Sequence, residues 1–184
     1  NLTGLSSSSM YYVWVRSNCG SGDYSNWAGA ISFTTACAPI TSYPYLQSFG
    51  STIPPCWSVS EGSTGASYHW APTTADATYG SAAPQAGTHF MYLYVYLANT
   101  SFNPYYLKTG QFDLGATPKL LSYYYYLGAS GYTTTPVPLT LQVSTDNGST
   151  WTDLYAHTTA NSTFASNGNG WYQNVVSLSA YVNT

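Results

Sequence analysis

Along most of the chain apolar and polar residues alternate in short runs, and the runs are separated by Gly, Asn, Ser and Pro. A two-residue period puts successive side chains on opposite faces of an extended strand, whereas a helix needs apolar residues three and four apart. No window of useful length keeps helical spacing without an interruption by Gly, Pro or a β-branched residue. The alternation predicts strands over Tyr11–Ser17, Ala30–Thr35, Phe90–Leu97, Lys119–Leu127, Leu139–Ser144, Thr152–His157 and Tyr172–Leu178. Short strands divided by turn residues are the pattern of a β-sandwich or jelly roll, so the expected fold class is all-β.

Two local signals sharpen this expectation. Asp146-Asn147-Gly148-Ser149 stands between Leu141-Gln142-Val143 and Trp151, and Asn-Gly supplies the positive φ angles that a tight hairpin turn requires. In the run from Phe90 to Leu97 one face is aromatic and the other aliphatic, the pattern of a central strand covered on both sides. The segment Cys37-Ala38-Pro39-Ile40-Thr41-Ser42-Tyr43-Pro44 carries two prolines that interrupt pairing. It divides the chain into residues 1–37, a linker at 38–44 and a second unit at 45–184.

Charged residues make up 5% of the chain, against roughly 25% in an ordinary soluble domain. Aromatic residues reach 17%, with 20 Tyr, and a chain this rich in rings is expected to fold. Its surface is wetted by hydroxyls and amides. Arg16, Lys108 and Lys119 are the three cations and the formal net charge is −3, which leaves no basic footprint for a phosphate backbone and excludes nucleic acid as a partner. No run approaches the roughly 18 apolar residues of a membrane helix, so membrane insertion is not expected. The first residues already read as domain interior, and the chain is expected to be a piece of a longer one.

Catalytic chemistry finds little support. The histidines, His69, His89 and His157, lie in separate segments, and neither a Gly-x-Ser-x-Gly elbow nor a His-Glu-x-x-His motif is present. Glu61 with Asp76 or Asp113 would have to supply paired carboxylates, and nothing in their surroundings separates their pKa values. The expectation is a protein that is not an enzyme.

Leu5, Tyr11, Val13 and Val15, followed by Ser25-Asn26-Trp27 and Phe33-Thr34-Thr35, resemble the last third of a fibronectin type III domain as found in secreted proteins of the Bacteroidota. The resemblance implies that Tyr11 closes a corner and that the valines point into a sandwich. Two such strands cannot stand alone, so the remaining strands come from a longer chain or from a neighbouring subunit by strand addition. After the linker, Tyr45-Leu46-Gln47-Ser48-Phe49, Pro55-Cys56-Trp57, Gly87-Thr88-His89-Phe90-Met91, Phe112-Asp113-Leu114, the run Leu139–Asp146, Trp171 and Leu178-Ser179-Ala180-Tyr181 resemble MAM-like and cleaved-adhesin jelly rolls, with the last strands missing. The resemblance implies an extracellular, cell-surface location reached by type IX secretion.

Gln47 and Gly50 occupy the places where these families usually carry an acidic pair, which puts a family-type calcium site in doubt. Calcium needs six to eight oxygens, and only Glu61 and Asp76, aided by backbone carbonyls, remain as weak candidate ligands. Solvated loop carboxylates are the simpler reading, and no cofactor is expected. Three cysteines in an exported protein point to one bridge and one leftover. A hairpin spanning Ala28 to Thr35 would hold Cys19 and Cys37 roughly 26 Å apart, far beyond the reach of a disulfide. Cys37–Cys56 is therefore the expected bridge, with Cys19 free or paired outside this chain. Three reduced, buried thiols are the alternative, which the resemblance disfavours.

The exposed-aromatic candidates are Tyr12, Trp14 and Trp70, as ligand-binding or as packing residues. Scarce charge permits sheet edges to pair, which favours a non-catalytic adhesin or filament module packing against copies of itself or adjoining domains. A carbohydrate-binding, lectin-like module with glycan partners is the alternative.

Overall fold

The computed structural model describes residues 2–61, 69–75, 83–93, 104–127, 138–158 and 170–183. Among these the chain is all-β: twelve strands in antiparallel pairs, no α-helix, and one 3-10 turn at Ser179–Tyr181. It divides into two units, Asn1–Pro39 and Ile40–Thr184.

In the first unit β1 (Met10–Val15) pairs with β4 (Ala28–Thr34), and β2 (Asn18–Gly20) pairs with β3 (Asp23–Tyr24). The β1–β4 register sets Tyr11 opposite Phe33 and Val13 opposite Ile31, then shifts so that Gly29 and Ala30 together oppose Trp14. Gly20, Ser21 and Gly22 all have positive φ at the β2–β3 turn, where glycine relieves the Cβ clash. The segment before β1 is tied down by polar bonds. Ser6 N–H donates to the Tyr11 hydroxyl at 2.8 Å, and Thr35 Oγ1 donates to the Ser6 carbonyl at 2.6 Å.

The second unit contains β5 (Ser58–Glu61), β6 (Ala71–Thr73), β7 (Phe90–Tyr92), β8 (Tyr105–Lys108), β9 (Leu120–Tyr125), β10 (Leu139–Val143), β11 (Thr152–His157) and β12 (Tyr172–Ser177). Pairing is nested: β5–β8 encloses β6–β7 in sequence, and β9–β12 encloses β10–β11. Pro72 sits in β6, which pairs only with β7 among the described residues, and an edge position tolerates a residue without an N–H. Residues 40–44, expected in the linker, are built into this unit. Ile40 forms a parallel bridge with Phe112, and the Tyr43 hydroxyl lies 3.0 Å from the Ile40 carbonyl and 2.8 Å from that of Asp113.

The β10–β11 connection shows how the sequence makes its turn. Asn147 and Gly148 take φ of 58° and 85°, the pair of positive angles of a type I′ turn. Asp146 then fastens the rest of the loop, its carboxylate accepting from the Thr150 N–H at 2.8 Å, the Thr150 hydroxyl at 2.6 Å and the Ser144 hydroxyl at 2.7 Å. Those bonds favour the charged form and hold its pKa at about 2.

The core of the second unit is aromatic. Phe90 is buried and packs edge-on against Trp171 at 5.3 Å. From the β9–β12 sheet Tyr123 and Tyr125, and from the β10–β11 hairpin Tyr155 and His157, converge on one another. Of the tyrosine run Tyr123 and Tyr125 face His157 and Tyr126 packs against Trp171 at 5.8 Å, while Tyr124 stays exposed.

Candidate functional site

No described residue of the first unit is buried. Alternation on β1 and β4 gives its main hairpin two unlike faces. One carries Tyr11, Val13, Ile31 and Phe33, all apolar, with the Tyr11 and Phe33 rings stacked 5.9 Å apart. This is the face that alternation marks as interior, yet Ile31 is 72% exposed and Phe33 36%. An apolar sheet face therefore lies uncovered by the described residues of its own unit.

The other face carries Met10, Tyr12 and Trp14 on β1 and Ser32 and Thr34 on β4, with Tyr12 opposite Ser32 and Met10 opposite Thr34. Tyr12 is 57% exposed and Trp14 53%. Their ring centroids are 6.1 Å apart and the planes differ by 33°, and the Tyr12 hydroxyl lies 3.4 Å from the Met10 sulfur. An apolar groove of about 700 Å³ is lined by Leu2, Leu5, Tyr11, Tyr12, Val13, Trp14 and Trp27. Residues from both faces of β1 contribute to it, so it follows the side of β1 that no described strand pairs.

Trp27 connects this groove to a charge. The Arg16 guanidinium lies 3.9 Å from the Tyr24 ring centroid and 4.6 Å from that of Trp27, a cation held over two aromatic faces. Lys108 and Lys119 are placed similarly, over Tyr106 and Trp151 and over Tyr43. No ion pair joins described residues.

The other expected site residues are dispersed. Trp70 is half-buried and its indole N–H donates to the Tyr105 carbonyl at 3.1 Å, a packing position and not an open platform. Glu61 closes β5 opposite Tyr105, and Asp76 lies outside the described residues. No group of three or more potential metal-ligating His, Cys, Asp or Glu side chains is present among the described residues. Cys37 and Cys56 are disulfide-bonded, and Cys19 is free and exposed. His89 has its Nδ1 2.8 Å from the Thr88 hydroxyl.

Sequence reasoning missed the setting of His157, which is 2% exposed. Its Nε2 lies 2.7 Å from the Tyr123 hydroxyl, and Asn174 Nδ2 donates to that same hydroxyl at 2.9 Å. Asn174 donates to the Tyr123 hydroxyl, whose own proton can then be given to Nε2 of a neutral imidazole. Burial lowers the His157 pKa and raises that of Tyr123. The signal for this cluster was available in two period-two pairs, Tyr123 with Tyr125 and Tyr155 with His157. His157 is buried and its partners Tyr123, Tyr125, Tyr155 and Asn174 are half-buried, and the cluster reads as a polar clamp in the aromatic core.

Compared with known protein families, curated proteins and solved structures, the chain matches none.

Proposed function

We propose that this chain is a non-catalytic module of a large extracellular bacterial surface protein, and that it works in an adhesin or filament by β-sheet packing. The observation that carries this reading is the uncovered apolar face of the β1–β4 hairpin. Burying one side chain of the Val, Ile or Phe type contributes about 1.5–3 kcal/mol, and Val13, Ile31 and Phe33 stand on one face beside Tyr11. Covering that face removes apolar surface from water, most of all at Ile31, which is 72% exposed, and so favours association between modules. The free side of β1 offers backbone donors and acceptors to an added strand at the same time.

Two features support a fibronectin type III-like sandwich for the first unit. The bond from Ser6 N–H to the Tyr11 hydroxyl is of the kind a corner tyrosine makes to backbone a few residues upstream, and the inward alternation of Tyr11 and Val13 continues on Ile31 and Phe33. For the second unit, nested strand pairs are those a Greek key contains. Aromatic contact between two of its sheets fits face-to-face packing in a jelly roll. The disulfide at Cys37 and Cys56 fits an oxidising, extracellular compartment.

Electron microscopy of the native, cell-derived material tests the proposal. Ordered filaments or stacked modules in which β-strands cover Ile31 and Phe33 are the expected result. Dispersed particles with that face still open to solvent would overturn it.

A further inference from the structure

We infer that the outer face of the β1–β4 hairpin is a binding site for an acidic saccharide, stacked on Tyr12 and Trp14 with a carboxylate directed toward Arg16. The site uses a different face from the apolar one proposed for sheet packing, because Tyr12 and Trp14 stand on the face opposite Ile31 and Phe33. Sugar rings present flat C–H faces edged by hydroxyls, so a saccharide site combines exposed aromatic rings with small hydroxyl partners. This face has both: Tyr12 and Trp14 are more than half exposed, Ser32 lies opposite Tyr12, and Thr34 lies opposite Met10 on the same face. The two ring centroids lie 6.1 Å apart, close enough for one oligosaccharide to touch both.

Charge selects the class of saccharide. Trp27 lines the groove together with Tyr12 and Trp14, and it carries Arg16 on its ring. Arg16 makes no ion pair with a described residue. The guanidinium lies over both the Tyr24 and the Trp27 rings, and arginine is the side chain that can take a carboxylate through two parallel bonds. A neutral glycan would leave this cation unanswered, whereas a uronic-acid chain supplies its partner. A peptide strand on this face would meet side chains and not unpaired backbone, so main-chain pairing gives it no hold there.

The test uses the full chain with oligogalacturonate and with a neutral galacto-oligosaccharide of the same length, followed by tryptophan fluorescence and calorimetry. Saturable binding that prefers the acidic oligomer is expected. Trp14→Ala should weaken it about tenfold, the factor that corresponds to 1.4 kcal/mol, while Trp14→Phe, which keeps a stacking face, should retain most of it. Arg16→Gln should bring the acidic and neutral affinities together without abolishing stacking. Far-UV circular dichroism of each variant, matching the parent chain, ties a loss to the site and not to unfolding. Absence of binding to both oligomers, equal affinity for the two in the parent chain, or unchanged affinity in folded Trp14→Ala would overturn the inference. Concentration-dependent self-association that Trp14→Ala removes would also overturn it, by making this face a contact between copies.

Discussion

Replacing Tyr123 by Phe removes one oxygen from the interior of the second unit and tests whether the His157 clamp holds the aromatic core together. The hydroxyl joins His157 Nε2 at 2.7 Å to Asn174 Nδ2 at 2.9 Å, and His157 is almost completely buried. Tyr123→Phe keeps the ring and its packing but takes the shared partner from both groups. Withdrawing a partner from a buried polar atom costs about 1–3 kcal/mol. Urea unfolding at about pH 8, followed by tryptophan fluorescence and circular dichroism, should therefore show Tyr123→Phe less stable by about 2 kcal/mol. Acid adds a second arm. Burial depresses the folded-state pKa of His157 below its ordinary 6.5, so on acidification the unfolded chain takes up this proton first. Its stabilising contribution is complete above the unfolded pKa and declines as pH falls below about 6.5, by at most about 1.4 kcal/mol per pH unit. His157→Phe should flatten that decline. A Tyr123→Phe cost under about 0.5 kcal/mol, the range of an ordinary surface change, would refute the reasoning, as would a decline that survives His157→Phe unaltered.

The remaining perturbations probe separate elements. Asp146 has a folded-state pKa held at about 2, below its ordinary 3.8, so its turn is fully stabilised above about pH 4 and loosens as pH falls toward 2; Asp146→Ala should show faster amide exchange at Thr150 than the parent above about pH 4, by nuclear magnetic resonance, with the difference narrowing toward pH 2. Reducing the disulfide at Cys37 and Cys56 should lower stability by about 3 kcal/mol, the size given by loop-closure arithmetic, read as a shift in the urea midpoint with and without reductant. Ile31→Asp, at a side chain 72% exposed in the chain alone, should change the stability of the isolated protein by less than about 0.5 kcal/mol while abolishing higher assemblies in sedimentation velocity.

Alternation placed β1, β9 and β12 because one face of each is wetter than the other and the sequence writes that difference with period two. Strands missed from sequence have other signatures. All four residues of β8 are half-buried, so no wet face marks the period. In β6 a proline stands where a breaker is usually read, and only pairing with Phe90, Met91 and Tyr92 gives the segment a strand's geometry. The shortest pair, β2 with β3, is made by positive-φ residues at its turn and has no hydrophobic pattern. Residues 40–44 look like a linker because Pro39 and Pro44 flank them, and their anchoring depends on Phe112 and Asp113, far along the chain. The exposed site was legible as outward-facing Tyr12 and Trp14. Its charge was not, since the placement of Arg16 over Tyr24 and Trp27 depends on the β2–β3 excursion that the sequence did not announce.

The manner in which this protein manages charge leads to one more expectation. Soluble sheets commonly place lysines and other charges along their edges, where repulsion prevents pairing with another molecule. Here each of the three cations rests over an aromatic ring, and no ion pair joins described residues. The one cation of the first unit, Arg16, is drawn onto Tyr24 and Trp27, leaving the side of β1 unguarded by charge. Association through Ile31 and Phe33 would then depend on apolar area, and salt shortens the reach of charges to about 3 Å at 1 M without weakening burial of apolar surface. Assemblies should accordingly persist, or tighten, when sodium chloride is raised from about 0.05 to about 1 M, measured by sedimentation velocity. In the same series the Arg16-dependent preference for an acidic saccharide should fade, since that attraction is exposed and screened. Dissociation of the assemblies by salt would mean that charges, and not the uncovered hairpin face, hold the modules together.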